Sequence, residues 1–232
     1  MKVAIIPARG GSKRIPRKNI KLFCGKPMIA WSIEQAKASE CFDNIIVSTD
    51  DYEIADIACQ YGAEIPFMRP DELSNDYATT GQVMSHAVTW LQRESIIQSA
   101  CCIYATAPFL SASDIRNGYQ RLKETQSDYV FSVTTYAFPI QRALKKNVDD
   151  GVSMFQPETF QMRSQDLEEA FHDAGQFYWG RPEAWKEEKP IFNSYSTAIV
   201  LPRHRVQDID TQEDWDRAEL MFQVLRQSSN HG

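Results

Sequence analysis

An α/β fold on a doubly wound, mostly parallel sheet is what the chain's patterning implies, and three observations lead there. Continuous apolar runs such as KVAIIPA and NIIVSTDD lack the in-and-out alternation of a half-exposed strand, so they suit strands buried on both faces. Amphipathic stretches of helical period separate these runs at short spacing, the rhythm of strand–helix units. Glycines and polar residues follow the runs, where such sheets bind ligands at the carboxyl ends of their strands.

The elements follow in order. KVAIIPA is the first strand, ended by glycines. PMIAWSIEQAKAS sets Met28, Trp31, Ile33, Ala36 and Ala38 at helical spacing. NIIVSTDD is the second strand. DYEIADIACQYG puts Ile54, Ala55, Ala58 and Tyr61 on one stripe and stops at Gly62. AEIPFM is expected as a short third strand. TTGQVMSHAVTWLQRE is a helix with Val83, Ala87, Trp90 and Leu91 aligned, and ACCIYATAPFL a fourth strand running into a loop. SASD at Ser111 reads as a capping box for a helix to about Lys123, and DYVFSVTTY as the fifth strand. Near Phe138 the rhythm breaks. Scattered aromatics, Pro139, Pro157 and the turn signals DDG and DAG make 138–180 a β-rich insert in a single domain. YSTAIVLP returns to a strand. TQEDWDRAELMFQVLRQ closes the chain as a helix, with Thr211 and Asp214 as its capping box and Ala218, Met221, Phe222 and Leu225 as its stripe. The tail SSNHG is expected to fray.

The bulk composition is that of an ordinary globular protein: 232 residues, 43% hydrophobic, 24% charged, net charge −6. That acidity argues against a general nucleic-acid or anionic-membrane binder, which needs a broad basic face. Yet residues 1–33 carry eight Lys and Arg and no acid, leaving 17 basic against 31 acidic side chains elsewhere. A concentrated basic patch in an acidic chain suits a small, highly charged anion. No apolar run approaches the roughly 18 residues of a membrane span, and MKVAIIPARG is too short for a secretion signal. Five cysteines, an odd number without C-x-x-C spacing, read as reduced thiols of a cytoplasmic protein without a structural zinc site.

Two motifs carry chemistry. PARGGSKRIPRKN, residues 7–19, follows the first strand and so lies on the ligand side of the sheet. Gly10 and Gly11 can take backbone conformations closed to other residues and let a ligand approach. Successive N–H groups in such a turn form an anion nest, and Arg9, Lys13 and Lys18 could neutralise a polyphosphate. Neither the P-loop pattern nor G-x-G-x-x-G is present, and a solvated basic loop is the alternative. The second motif is QDIDTQED. Asp208 and Asp210 sit two apart on an extended stretch, so their carboxylates face one side. Paired carboxylates suit Mg²⁺, which takes one or two of them plus substrate phosphates; the alternative is a helix cap with a solvated neighbour. His86, His172, His204 and His231 read as solvated or structural.

At these residues the chain resembles the cytidylyltransferases that activate acidic sugars, the CMP-sialic acid synthetases. IPARGGSKRIPRKNI looks like their signature loop; VSTDDYEIADIA, FMRPDELSNDYATT and QDIDTQEDWDRAE fit the same family in the same order. The resemblance implies a Rossmann-like nucleotidyltransferase fold with a dimerisation insert, a homodimer, and transfer from CTP to a nine-carbon 2-keto sugar acid with release of pyrophosphate. It implies that Arg9, Gly10, Gly11, Ser12, Lys13, Lys18 and Asn19 hold the nucleotide and its phosphates. Arg69, Ala78 and Thr80 match cytosine and ribose contacts, and Asp208 and Asp210 the Mg²⁺ carboxylates. Lys18, Asp210 and Arg9 are the implied catalytic groups. The sugar side departs from the sialic pattern: YATAPF places Tyr104 where a Gln is usual, with Thr106 beside it, and MRSQD keeps a single Arg163. FPIQRAL and DAGQFYW look like the branch that activates pseudaminic acid, with N-acetylneuraminate or legionaminate as alternatives. Gln141, Arg142, Arg163 and His172 then become candidates for holding the sugar. Arg14 and Arg17 match no functional position. A UTP-using sugar nucleotidyltransferase and a non-catalytic nucleotide-binding protein are the readings from other classes.

Overall fold

The computed structural model describes residues 1–229. Its strands are β1 (Lys2–Pro7), a two-residue hairpin β2 (Leu22–Phe23) and β3 (Lys26–Pro27), β4 (Asn44–Ser48), β5 (Ser99–Ile103), β6 (Tyr129–Thr135), β7 (Leu144–Lys146), β8 (Val152–Met154), β9 (Phe171–Gly180) and β10 (Ser196–Val200). The α-helices are α1 (Met28–Ser39), α2 (Tyr52–Gln60), α3 (Thr80–Leu91), α4 (Ala112–Glu124), α5 (Pro182–Lys186) and α6 (Gln212–Ser229). Six strands form the main sheet in the order β10-β6-β9-β5-β1-β4. β1 pairs in parallel with β4 and β5, and β10 with β6, while β9 runs antiparallel to both its neighbours.

The apolar runs are explained by two cores. Along β1, Ala4 and Ile6 face a cluster with Ile29 and Ile33 of α1, Ile54 and Ala58 of α2, and Ile115 and Leu122 of α4. Val3 and Ile5 face the opposite cluster with Met84, Ala87 and Val88 of α3 and Trp185 of α5. A strand covered on both faces has no polar side to show. Helix signals hold in detail. Asp51 accepts from the Ile54 N–H at the start of α2, and Gly62 takes φ +91° just past its end. Thr79 and Gln82 form a reciprocal box at α3, and Thr211 and Asp214 exchange bonds at α6. A third cluster joins the basic loop to the closing helix: Ile15, Phe23, Met28 and Trp31 pack with Ile209, Trp215, Ala218 and Phe222.

Four expectations change. AEIPFM is not a strand; Glu64 alone makes a bridge, to Ile46. Ala38 is exposed rather than part of the α1 stripe, and Met221 rather than part of the α6 stripe. Ser111 caps α4, but Asp114 turns away from a reciprocal box to pair with Arg205 at 2.6 Å. The stretch 138–180 is not one insert: 171–180 are β9, a strand inside the main sheet, and 136–170 are the excursion, holding the β7–β8 hairpin and short 3₁₀ turns. Periodicity hid β9 because FHDAGQFYWG carries a bulge; Phe131 lies opposite Tyr178 but Val133 opposite Asp173. For the expected frayed tail, Ser228 and Ser229 end α6, and Asn230, His231 and Gly232 lie outside the described residues.

Candidate active site

The chain crosses from β4, on one side of β1, to β5 on its other side, and a cleft opens where the strand order reverses. It encloses about 510 Å³ and is lined by the basic loop (Arg9, Ser12, Lys13, Arg14, Ile15, Lys18, Asn19), Arg69, Ala78, the start of α3 at Thr80, and Tyr104 to Thr106 beyond β5. A second cavity of about 440 Å³ shares Tyr104 and Thr106 and continues to His172, Asp173, Ala174, Gly175, Val206, Gln207 and Asp208.

Each basic group in the loop has an acidic partner. Arg9 lies 3.0 Å from Asp76 and donates to the Asn75 carbonyl at 2.7 Å, and Lys13 also pairs with Asp76. These two cations hold the Asp76 carboxyl below the usual carboxylate range, the Lys13 hydrogen bond contributing most. Lys18 is mostly buried; it donates to the Ile209 carbonyl at 2.6 Å and lies 3.5 Å from Asp210. Arg14 pairs with the same carboxylate at 2.7 Å, so it belongs to the site although it matches no family position. Arg17 instead pairs with Asp51 and Glu53, away from the cleft lining. Ile15 and Ile209 share one core cluster, and the Lys18–Ile209 hydrogen bond joins the two motifs across 191 residues of chain.

The glycines work differently from expectation. Neither Gly10 nor Gly11 has positive φ; the left-handed residue of the loop is Arg17 at φ 56°. Gly10 is required by close approach, since a Cβ there would lie 2.7 Å from the Asp51 carboxylate, whereas Gly11 faces open space. The Gly10 N–H is already bonded to Asp50 at 3.0 Å, and Asn19 donates to the Arg9 carbonyl at 3.0 Å, bracing the loop.

Arg69 is buried at 6% exposure and donates to the Ser48 hydroxyl, the Ser48 carbonyl and the Leu73 carbonyl. Burial brings its pKa down to about 10, still far above neutrality, so it stays charged. Ala78 donates its N–H to Asn75, and Thr80 Oγ1 lies 3.4 Å from the Tyr104 hydroxyl. Burial raises the Tyr104 phenol above its ordinary pKa.

Asp208 lines the second cavity and Asp210 sits at the loop. Burial, then the charge of Asp210, pushes the Asp208 carboxyl up, with Lys18 and Arg14 acting against them. Two neighbouring carboxylates that repel one another are eased by a cation between them. Among the described residues no cluster of three or more His, Cys, Asp or Glu could hold a metal. A pair of carboxylates is a donor set that suits a hard cation which completes its shell with water and phosphate oxygens.

The excursion residues are not brought to the cleft of their own chain. Gln141 donates to the Glu168 carbonyl at 2.9 Å, Arg142 to the Met162 carbonyl at 2.7 Å, and Arg163 pairs with Asp166 at 2.7 Å; none lines either cavity. Sequence reasoning missed Arg14, Asp76 and Asp173. Only DAGQ hinted at Asp173, through its turn-forming glycine.

The cytidylyltransferase family model matches residues 3–227. The chain belongs to the cytidylyltransferase family. It is 46% identical over 228 residues to a pseudaminic acid cytidylyltransferase of Campylobacter jejuni, covering 98% of each protein. It is 31% identical to a CMP-N,N'-diacetyllegionaminic acid synthase of Legionella pneumophila, covering 97% of this chain and 98% of that one. The fold is shared with the structure of CMP:2-keto-3-deoxy-manno-octonic acid synthetase complexed with CTP, at TM-score 0.68, 16% identity and coverage of 98% and 99%. The chain is a nucleotidyltransferase enzyme, and the expected Rossmann-like α/β fold with a mostly parallel sheet is the one observed.

Proposed function

We propose that this cytidylyltransferase transfers the cytidylyl group of CTP to pseudaminic acid, a nine-carbon 2-keto sugar acid, and releases pyrophosphate. One observation supports this most: the basic loop meets Asp208 and Asp210 where the basic cleft passes into a second cavity whose lining has no Lys or Arg among the described residues. That order suits a triphosphate, a reacting centre and a sugar in sequence. The full-length likeness to the Campylobacter jejuni enzyme supports pseudaminate among the acidic sugars.

In this reading Arg9, Lys13 and Lys18 exchange their carboxylate partners for the phosphates of CTP, and Ser12, Asn19 and the Gly10–Gly11 backbone shape the cradle. Arg69, Ala78 and Thr80 line the far side of the cleft, toward base and ribose. Asp208 and Asp210 hold Mg²⁺, which when bound neutralises phosphate charge and lowers the pKa of the incoming hydroxyl. The anomeric oxygen attacks the α-phosphorus, the bond to the bridging oxygen of the β-phosphate breaks, and pyrophosphate leaves. Asp210 orients the anomeric hydroxyl and accepts its proton, and Lys18, Lys13 and Arg9 stabilise the charge growing on the leaving group. Such a step is governed by positioning and preorganised charge.

The reading extends to assembly and compartment. The excursion exposes a set of large apolar side chains, Phe138 at 82% and Phe160 at 67% among them. A second copy packed there forms a homodimer and supplies the burial these residues lack. It would also carry Gln141, Arg142 and Arg163 toward a cleft. Five free cysteines suit the reducing cytoplasm, and among the described residues no helix is long and apolar enough to cross a membrane.

The test is pyrophosphate release with Mg²⁺, using CTP, UTP, ATP or GTP against pseudaminic, legionaminic and N-acetylneuraminic acids. CTP with pseudaminate should give the highest kcat/KM, and a better partner in either panel overturns the assignment. Asp210→Ala should lower turnover at least about a hundredfold; a variant within a few-fold of wild type removes the metal role.

A further inference from the structure

The β9 bulge builds a feature that the reaction above does not use. From the pair Phe131–Tyr178 to the pair Val133–Asp173, β9 covers five steps of chain where β6 covers two. The slack is taken up at Gly175, φ +61°, where an added Cβ would stand 3.9 Å from the Tyr104 ring. A bulge re-aims side chains, and this one sets Asp173 in the wall of the second cavity. Its carboxylate is held from behind at both oxygens. Gly175 N–H donates to Oδ1 at 3.0 Å, and the Tyr178 hydroxyl donates to Oδ2 at 2.5 Å. Tyr178 is itself clamped, its ring 5.2 Å from that of Tyr104 and 6.1 Å from that of Phe131. Burial pushes its phenol far above the ordinary range, so it remains a donor.

Asp173 has no ion-pair partner among the described residues, unlike the loop-facing Asp76 and Asp210. A carboxylate offers about four lone-pair sites, and two stay open toward the cavity. The cavity's other acid, Asp208, is engaged by the metal in the reading above, so a sugar acid that turns its own carboxylate this way meets the like charge of Asp173 with no cation beside it. Its N–H and O–H groups can face Asp173.

We propose that Asp173 is a specificity-determining residue. It accepts a hydrogen bond from a neutral N–H or O–H substituent of the sugar, at the end remote from the sugar carboxylate, and Tyr178 positions it. This rests on the sugar-acid reading above.

The test is steady-state pyrophosphate release by the full-length enzyme with Mg²⁺, CTP and pseudaminate, with CTP affinity measured separately by calorimetry. Asp173→Ala should raise the KM for the sugar at least about tenfold, the loss expected for a hydrogen bond to a charged acceptor. The kcat and the CTP affinity should stay within about threefold of wild type. Asp173→Asn keeps the shape and removes the charge, and should move the sugar KM in the same direction if the alanine variant does not fold. Tyr178→Phe should show a smaller rise with the same split. An unchanged sugar KM in the Asp173 variants overturns the proposal. So does a collapse of kcat at constant KM, or an altered Mg²⁺ requirement, since these make Asp173 a base or a metal ligand. Wild-type enzyme that is inactive with every sugar acid sinks the underlying reading and this inference with it; active wild type with indifferent variants sinks the inference alone.

Discussion

Gly10 and Gly11 are neighbours in one loop, yet alanine should be felt at only one of them. A Cβ on Gly10 would stand 2.7 Å from Asp51 Oδ2, 3.1 Å from its Cβ and 3.2 Å from its Cγ. Short Asp51 cannot swing aside freely, because its carboxylate caps α2 through the Ile54 N–H and pairs with Arg17. Displacing it forfeits the cap, about 1 kcal/mol. It also forfeits part of the Arg17 pair, about 0.5 kcal/mol once discounted for an Arg17 side chain that is 38% exposed. For a domain of this size that total corresponds to a melting temperature about 3–6 °C lower. Gly11→Ala meets nothing within 4 Å and should melt within about 1 °C of wild type. Thermal unfolding of the two variants by circular dichroism is the assay, with the KM for CTP as a second readout because the displaced strand-to-loop turn carries Arg9. Equal melting temperatures for both variants would refute the close-approach argument. So would a Gly11→Ala more damaging than Gly10→Ala.

Lys18→Ala removes a mostly buried ammonium that bonds the Ile209 carbonyl at 2.6 Å and faces Asp210. The KM for CTP should rise at least about tenfold, as for loss of a charge-assisted bond, and unchanged CTP kinetics would count against the cradle. His86 packs edge-on against Phe67, its Nδ1 is buried without a partner, and burial, then Arg69 and Arg93, lower its pKa. A depressed pKa in the fold means that the unfolded chain binds the proton more readily, so stability is present above the unfolded value near 6.5 and declines as pH falls below it. His86→Gln should flatten the fall of melting temperature between pH 6.5 and 5, and a slope identical to wild type would remove His86 as its source.

The sequence made the sheet legible wherever strands are covered on both faces. In β1, Ala4 and Ile6 face one core and Val3 and Ile5 the other, and a run without polar residues has no other comfortable place. It failed at β9 because a bulge breaks both the period and the apolar run: His172, Asp173, Gly175 and Gln176 are chosen for a cavity wall, a strained turn and a buried amide rather than for strand propensity. The basic loop was legible from charge asymmetry, and DID from its spacing. Their meeting was not, since it depends on Ile15 and Ile209, two aliphatic residues that look like any others until the third core cluster joins them. Gln141, Arg142 and Arg163 were legible only by resemblance, and in a single chain they bond within the excursion.

Charge asymmetry along the chain becomes charge balance in space. The acid-free first 33 residues place Arg9 and Lys13 on Asp76, Arg14 and Lys18 on Asp210, and Arg17 on Asp51 and Glu53. Left unpaired, five cations this close would repel one another and strain the loop; paired, they hold it open in the shape of the cleft. The pairs differ in how readily they yield. Lys13 is 78% exposed and Arg14 69%, and such pairs contribute roughly 0–1 kcal/mol each, so they yield readily to a competing anion. Arg17 has two acids, and one of them, Asp51, is fixed as the cap of α2 beside a Gly10 whose missing side chain lets it approach. The same stretch therefore separates into cations whose pairs yield readily and one that fixes the backbone from which they reach.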